Sequence, residues 1–188
     1  MARRLARPTV TEFPDFSGPE FKGYLRQPIP NPLDERVGAL VGAFEQASPE
    51  ERKAMLDEVA ANTRVGDALN VYAERMATFA VHENSPDPIR SAFIAIGLAS
   101  PGVDYRYNVI ATSLLYWSAE LLGIDWNQLV EEVAEFVPPR PLERFREFPN
   151  WKLKNRRPEA MGYTPEGSGK DFHYQPCPAR IVEDDPST

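Results

Sequence analysis

Proline placement, the helical spacing of apolar residues and a nearly complete set of helix caps predict an all-α fold: six to seven helices in antiparallel hairpins, with long Pro-rich N- and C-terminal arms. Of the 19 prolines, six fall in residues 8 to 32 and nine in residues 138 to 186, leaving Pro49, Pro86, Pro88 and Pro101 for everything between. Proline lacks a backbone donor and clashes with the preceding helical turn. The partition therefore predicts an extended N-terminal arm over residues 1 to 31, a helical domain over 32 to 148 and an extended C-terminal arm over 149 to 188. Within the domain no segment alternates polar and apolar residues between hairpin-turn signals. A chain of 188 residues is long enough for one domain with a substantial core.

Each helix has its own start signal. In "NPLDERVGALVGAFEQA", Asn31 can cap, Pro32 suits the first helical position, and Val37, Leu40, Val41 and Phe44 share one face. Gly38 and Gly42 lie four apart there, a spacing that favours close helix approach; the lysine and loop of a phosphate-binding turn are missing. "SPEERKAMLDEVAA" carries a capping box in Ser48 and Glu51, followed by Met55, Leu56 and Val59. The third helix repeats apolar positions at Val65, Leu69, Tyr72, Met76 and Phe79. The fourth begins with Ser85 or Asp87 as cap and buries Ile89, Phe93 and Ile96; Asp104 caps the fifth, which Gly123 ends. Asp125 with Gln128 opens a sixth, and a short seventh is expected over residues 142 to 147.

Loops this short make successive helices antiparallel neighbours, giving three hairpins that close into an orthogonal bundle or stack as a short HEAT-like array. The hairpins share no residue pattern at a fixed period, which favours the bundle.

The fifth helix raises the main functional question. On a wheel of about 100° per residue, Tyr107, Ile110, Ala111, Leu114, Trp117, Leu121 and Leu122 form an apolar arc that predicts core. The opposite side carries Tyr105, Asn108, Thr112, Tyr116 and Glu120, and aromatics among neutral polar residues are the composition of interface centres. These five are the expected partner-binding residues of the domain. In the arms, Phe13, Phe16, Phe21, Tyr24 and Trp151 recur among prolines, as anchors of segments that lie on a surface do.

Charge is unevenly spread. The chain is net −7, yet residues 33 to 137 hold 7 basic and 17 acidic side chains, whereas residues 138 to 158 hold 7 and 2. The basic stretch, with Arg144, Arg146, Lys152, Lys154, Arg156 and Arg157, is expected to act as an electrostatic strap on the acidic domain or on a partner. Its interleaved Phe145, Phe148 and Trp151 also suit base stacking on RNA, but the acidic domain would repel a polyanion.

Neither histidine has metal-ligand spacing, and a Cys-His nucleophile pair is not expected from His173 and Cys177 in a Pro-rich tail. Glu131, Glu132 and Glu135 suit a solvated helix face better than acid/base work. No catalytic, metal or cofactor site is expected. No apolar run reaches the roughly 20 residues of a membrane helix, the N-terminal stretch lacks the apolar core of a secretory signal, and a single cysteine fits the cytoplasm. The expected function is a non-enzymatic protein-interaction component: an inhibitor or immunity-type protein, an adaptor or an assembly subunit. The alternatives are a small-molecule-binding or enzymatic bundle with a pocket lined by Tyr72, Tyr107, Trp117 and Trp126, and an RNA-associated protein using residues 140 to 157.

Overall fold

A computed structural model describes Phe16 and residues 18 to 150. Among these residues seven α-helices form: α1 Pro32–Gln46, α2 Pro49–Ala61, α3 Thr63–Glu83, α4 Asp87–Ala99, α5 Tyr105–Leu121, α6 Trp126–Val133 and α7 Pro139–Glu147. Single 3-10 turns stand at Pro19–Phe21, Tyr24–Arg26, Ala134–Phe136 and Phe148–Asn150. No strand occurs among the described residues.

The helices start where local chemistry dictates. Asn31 Oδ1 accepts the N–H groups of Leu33 and Asp34 at 3.0 Å each, and the Asp34 carboxylate accepts the Asn31 N–H at 2.9 Å. Ser48 and Glu51 reciprocate at the start of α2. Asp104 and Asp125 cap α5 and α6 through the N–H groups of Arg106 and Gln128. The start of α4 differs from expectation: Pro86 is the N-cap and makes no side-chain cap bond. Asp87 lies inside the first turn, where its charge favours the positive end of the helix dipole. Helix α7 begins at Pro139, three residues earlier than expected, because proline is tolerated in a first turn whose N–H groups have no intrahelical partner.

Packing centres on α4. Ile89, Phe93, Ile94, Ile96 and Leu98 are fully buried on all sides of it, and α1, α2, α3, α5 and α6 all contact it. A helix that is apolar all round belongs in the middle of a bundle, so the arrangement is a bundle around α4 and not a stack. The loop from α4 to α5 is fixed by backbone contact. A Cβ on Gly66 would lie 2.7 Å from the Gly102 carbonyl group, and one on Gly102 would collide with the Val59 carbonyl oxygen. Of the small-residue pair in α1, only Gly38 is approached closely, by the Tyr72 hydroxyl.

Two charged side chains of α3, Glu74 and Arg75, are fully enclosed. Arg75 of α3 is 0% exposed, and its five N–H donors are all placed. Nε and Nη2 donate to the two Asp34 carboxylate oxygens at 2.8 and 2.7 Å, Nη1 donates to the carbonyls of Tyr24 and Gln27, and Nη2 donates to that of Pro28. The Tyr24 hydroxyl donates to Asp34 at 2.7 Å, and the Tyr24 ring stacks on the guanidinium 4.7 Å away. Tyr24 and Leu25 are buried, so this part of the N-terminal segment is fastened to α1 and α3.

Breaking this pair leaves the other charge stranded. Arg75→Met is expected to lower stability by about 3–5 kcal/mol, and Arg75→Met with Asp34→Leu by less than the single change, as measured by urea unfolding. A second expectation concerns alkaline pH. Burial, and then the hydrogen bond to Asp34, push the Tyr24 phenol far above its ordinary 10.0; burial also raises Tyr72. The unfolded chain ionises both near pH 10 while the fold keeps them neutral. Their contribution is therefore complete below pH 10 and falls above it, by about 1.4 kcal/mol per pH unit for Tyr24 and in the same direction for Tyr72. Tyr24→Phe should cost about 1 kcal/mol at pH 7 and flatten the decline, read from urea midpoints between pH 7 and 11.

Candidate functional site

Helix α5 turns a different face inward from the one its apolar spacing selects. Asn108 and Thr112, expected on an open partner surface, are 2% and 4% exposed, whereas Tyr107 and Leu121, expected in the core, are 39% and 44% exposed. The inward side, which includes Asn108, Ala111, Thr112, Leu115, Ser118 and Ala119, centres roughly 90° round the wheel from the expected arc. The reason is steric and polar together. Short side chains let α5 approach α3 and α4 closely, and two of the buried polar side chains bond backbone: Thr112 Oγ1 donates to the Asn108 carbonyl at 2.8 Å and Asn108 Nδ2 to that of Ile96 at 3.4 Å. From α3, Asn70 Nδ2 donates to the Tyr107 carbonyl at 3.3 Å.

Tyr116 is half-buried and Glu120 exposed; Tyr105 is the first residue of α5, and its side chain lies outside the described residues. Tyr116 joins an aromatic cluster, with its ring 5.0 Å from Trp126 and 5.4 Å from Phe148. Phe93 packs 4.7 Å from Trp126 and 4.8 Å from Phe145. Phe145 and Phe148 are fully buried here, so they do not form the stacking platform that an RNA-binding reading needs. Nor do the four residues expected around an internal pocket form one lining. Tyr72 bonds Ser91 and lies beside Gly38 of α1, Trp126 belongs to the aromatic cluster, Tyr107 is exposed and Trp117 is half-buried.

An open groove of about 720 Å3 lies between the α4–α5 loop and the start of α7. Ser100, Pro101 and Val103 form one wall, Pro138, Pro139, Arg140, Pro141, Glu143 and Arg144 the other, and Asn108 also lines it. Both walls are held firmly. The loop wall rests on the Gly66–Gly102 contact and on the Ser100 hydroxyl donating to the Gly97 carbonyl at 2.8 Å. The chain before α7 lies against α4, where a Cβ on Gly97 would be 3.2 Å from Val137. Helix α7 is pinned by the Trp126 indole N–H, which donates to the Phe145 carbonyl at 2.8 Å, and by Arg146, which donates twice to the Glu131 carboxylate at 2.7 and 3.0 Å. That pairing lowers the Glu131 pKa and raises that of Arg146.

Prolines at 138, 139 and 141 carry no N–H, so this wall is apolar where a helix start would ordinarily offer donors. Arg140 is exposed and Arg144 half-buried along it. Asn108 Oδ1 is buried without a hydrogen-bond partner. Apolar walls with a charged rim can hold an extended apolar segment or a small apolar ligand.

Of the arm residues expected to anchor, Phe16 and Tyr24 are buried and Phe21 half-buried, the three rings meeting edge to face at 5.0 and 5.5 Å. Arg144 and Arg146 lie on α7. Phe13, Trp151, Lys152, Lys154, Arg156 and Arg157 lie outside the described residues, as do His173 and Cys177. Among the described residues no three His, Cys, Asp or Glu side chains are grouped as metal ligands, and no helix is long and apolar enough to cross a membrane. Asn108 and Arg144, expected on an open α5 surface and in a basic strap, both line the groove; the one local signal of the groove in the sequence was the "PPRP" run at 138 to 141.

Set beside known proteins, the chain matches no family model, no curated protein and no solved structure.

The inward face of α5 is open to a direct check. Thr112→Lys is expected to destabilise by about 3 kcal/mol or more, since it buries an unpaired charge, while Glu120→Lys stays within about 0.5 kcal/mol; thermal unfolding of the two variants distinguishes them.

Proposed function

We propose that this chain is a non-enzymatic protein-interaction component, an adaptor, inhibitor or assembly subunit, and that the groove between the α4–α5 loop and α7 is its contact surface. The groove itself carries the reading: walls of proline and Val103, rimmed by Arg140, Glu143 and Arg144, have the apolar centre and polar edge of a protein interface. Asn108 takes part from the groove, while Thr112 supports the wall from within the core. The acidic domain surface suits a partner of opposite charge at a second contact, and the single cysteine supports a cytoplasmic setting for that contact.

A photo-crosslinking side chain at Val103 or Arg140 tests the reading in the native cell. Discrete protein adducts are expected from both positions and not from the same group at Asp57, exposed on α2. Adducts no stronger than those from position 57 would refute it.

A second reading is supported by the groove's size, since about 720 Å3 falls within the ordinary range of small-ligand sites, roughly 300 to 1,000 Å3. In that case native mass spectrometry of the protein from its own cell finds a bound small molecule, and Val103→Trp abolishes it.

A further inference from the structure

The groove's chemistry narrows what a partner must bring. We propose that it takes an extended peptide segment rich in proline or leucine and carrying an acidic side chain, which is set against Arg140 and Arg144. This rests on the groove being the contact surface, and specifies the partner's composition.

Two observations lead to it. The first is polarity: the cleft is open, and its lining includes Pro101, Val103, Pro138, Pro139 and Pro141. Rigid apolar rings packed side by side favour another extended, apolar chain, and a proline-containing segment loses little conformational freedom when it docks. The second is charge. Residues 33 to 137 of the domain carry 17 acidic and 7 basic side chains, yet the α7 wall of the groove carries two arginines and one glutamate. The rim is thus a basic spot on an acidic body, so an acidic segment is drawn to the groove and repelled elsewhere. Guanidinium groups also suit carboxylates through paired N–H donors.

Selection from a phage-displayed library of random 12-residue peptides on the full chain tests the composition. Peptides with proline or leucine flanking an aspartate or glutamate are expected to be enriched. Synthetic copies of the enriched peptides, titrated by fluorescence anisotropy, should bind Arg140→Glu at least about tenfold more weakly. Arg140 is exposed, so this variant is expected to fold, and circular dichroism checks that it does. The Lys-for-acid peptide should bind the wild type poorly and regain affinity for Arg140→Glu. Enrichment of basic peptides, no enrichment, or binding unaffected by Arg140→Glu would each overturn the proposal. If cellular crosslinks from Val103 and Arg140 persist alongside such a result, the surface stands and only the partner's chemistry is wrong; if the crosslinks are absent as well, the groove is not the contact surface.

Discussion

The guanidinium of Arg75 has five N–H groups to satisfy, and the bundle offers them no water. Leaving even one unmet would cost about 1–3 kcal/mol, so the residues around it have little freedom. Asp34 must present both carboxylate oxygens, which holds the first turn of α1 against the middle of α3. The same carboxylate accepts the Asn31 N–H that closes the capping box, so the start of α1 and its docking are one arrangement. Three backbone carbonyls, from Tyr24, Gln27 and Pro28, must turn inward. Such a network is weak evidence for stability relative to a purely apolar core; its effect is to permit one register of the N-terminal segment on the bundle.

With α1 fixed on α3, the groove follows by contact. Helix α3 carries Gly66, whose missing side chain admits Gly102 and so sets the α4–α5 loop. Helix α4, enclosed by its neighbours, carries Gly97, which admits Val137 and sets the approach to α7. The two walls of the groove are thus positioned by close contacts at two glycines, one in the first turn of α3 and one in the last turn of α4. The aromatic cluster does the remaining work: Phe145 and Phe148 reach back to Trp126 and Tyr116, so α7 is held by rings on one side and by the Arg146–Glu131 pair on the other. Aromatic residues that read as a candidate contact surface in the sequence are what hold the groove in shape.

Helix starts were legible because caps are local: Asn31, Ser48, Asp104 and Asp125 each bond an N–H two or three residues on. The inward face of α5 was not, because that helix is apolar on two sides. Tyr107, Ile110, Trp117 and Leu121 compete with Leu115 and Ala119, while Ala111 and Leu114 are buried as expected, and hydrophobicity alone selects the bulkier set. Close packing on α3 selects the smaller one, since alanine, serine and threonine shorten the distance between helices. Arg75 escaped notice for a related reason. Its partners lie 41 to 51 positions earlier in the chain, and nothing within one turn marks an arginine among apolar residues as buried. The groove walls come from segments about 35 residues apart by their numbering, and nothing local in either marks the other as its neighbour.

The prolines connect these levels. In the sequence they mark where helices cannot continue, and at 138, 139 and 141 they stand in the one turn of α7 that tolerates them. There they remove donors that would otherwise need water or a ligand, and leave a wall of ring surface with fixed backbone angles. A wall so constrained loses little entropy when something docks on it, and lost entropy is a large part of what association has to overcome. Neighbouring arginines then supply direction, which ring surface alone lacks. A helix start that in most proteins would attract any anion is here converted into an apolar shelf with charge only at its edge, and the proposed docking of a peptide depends on that conversion.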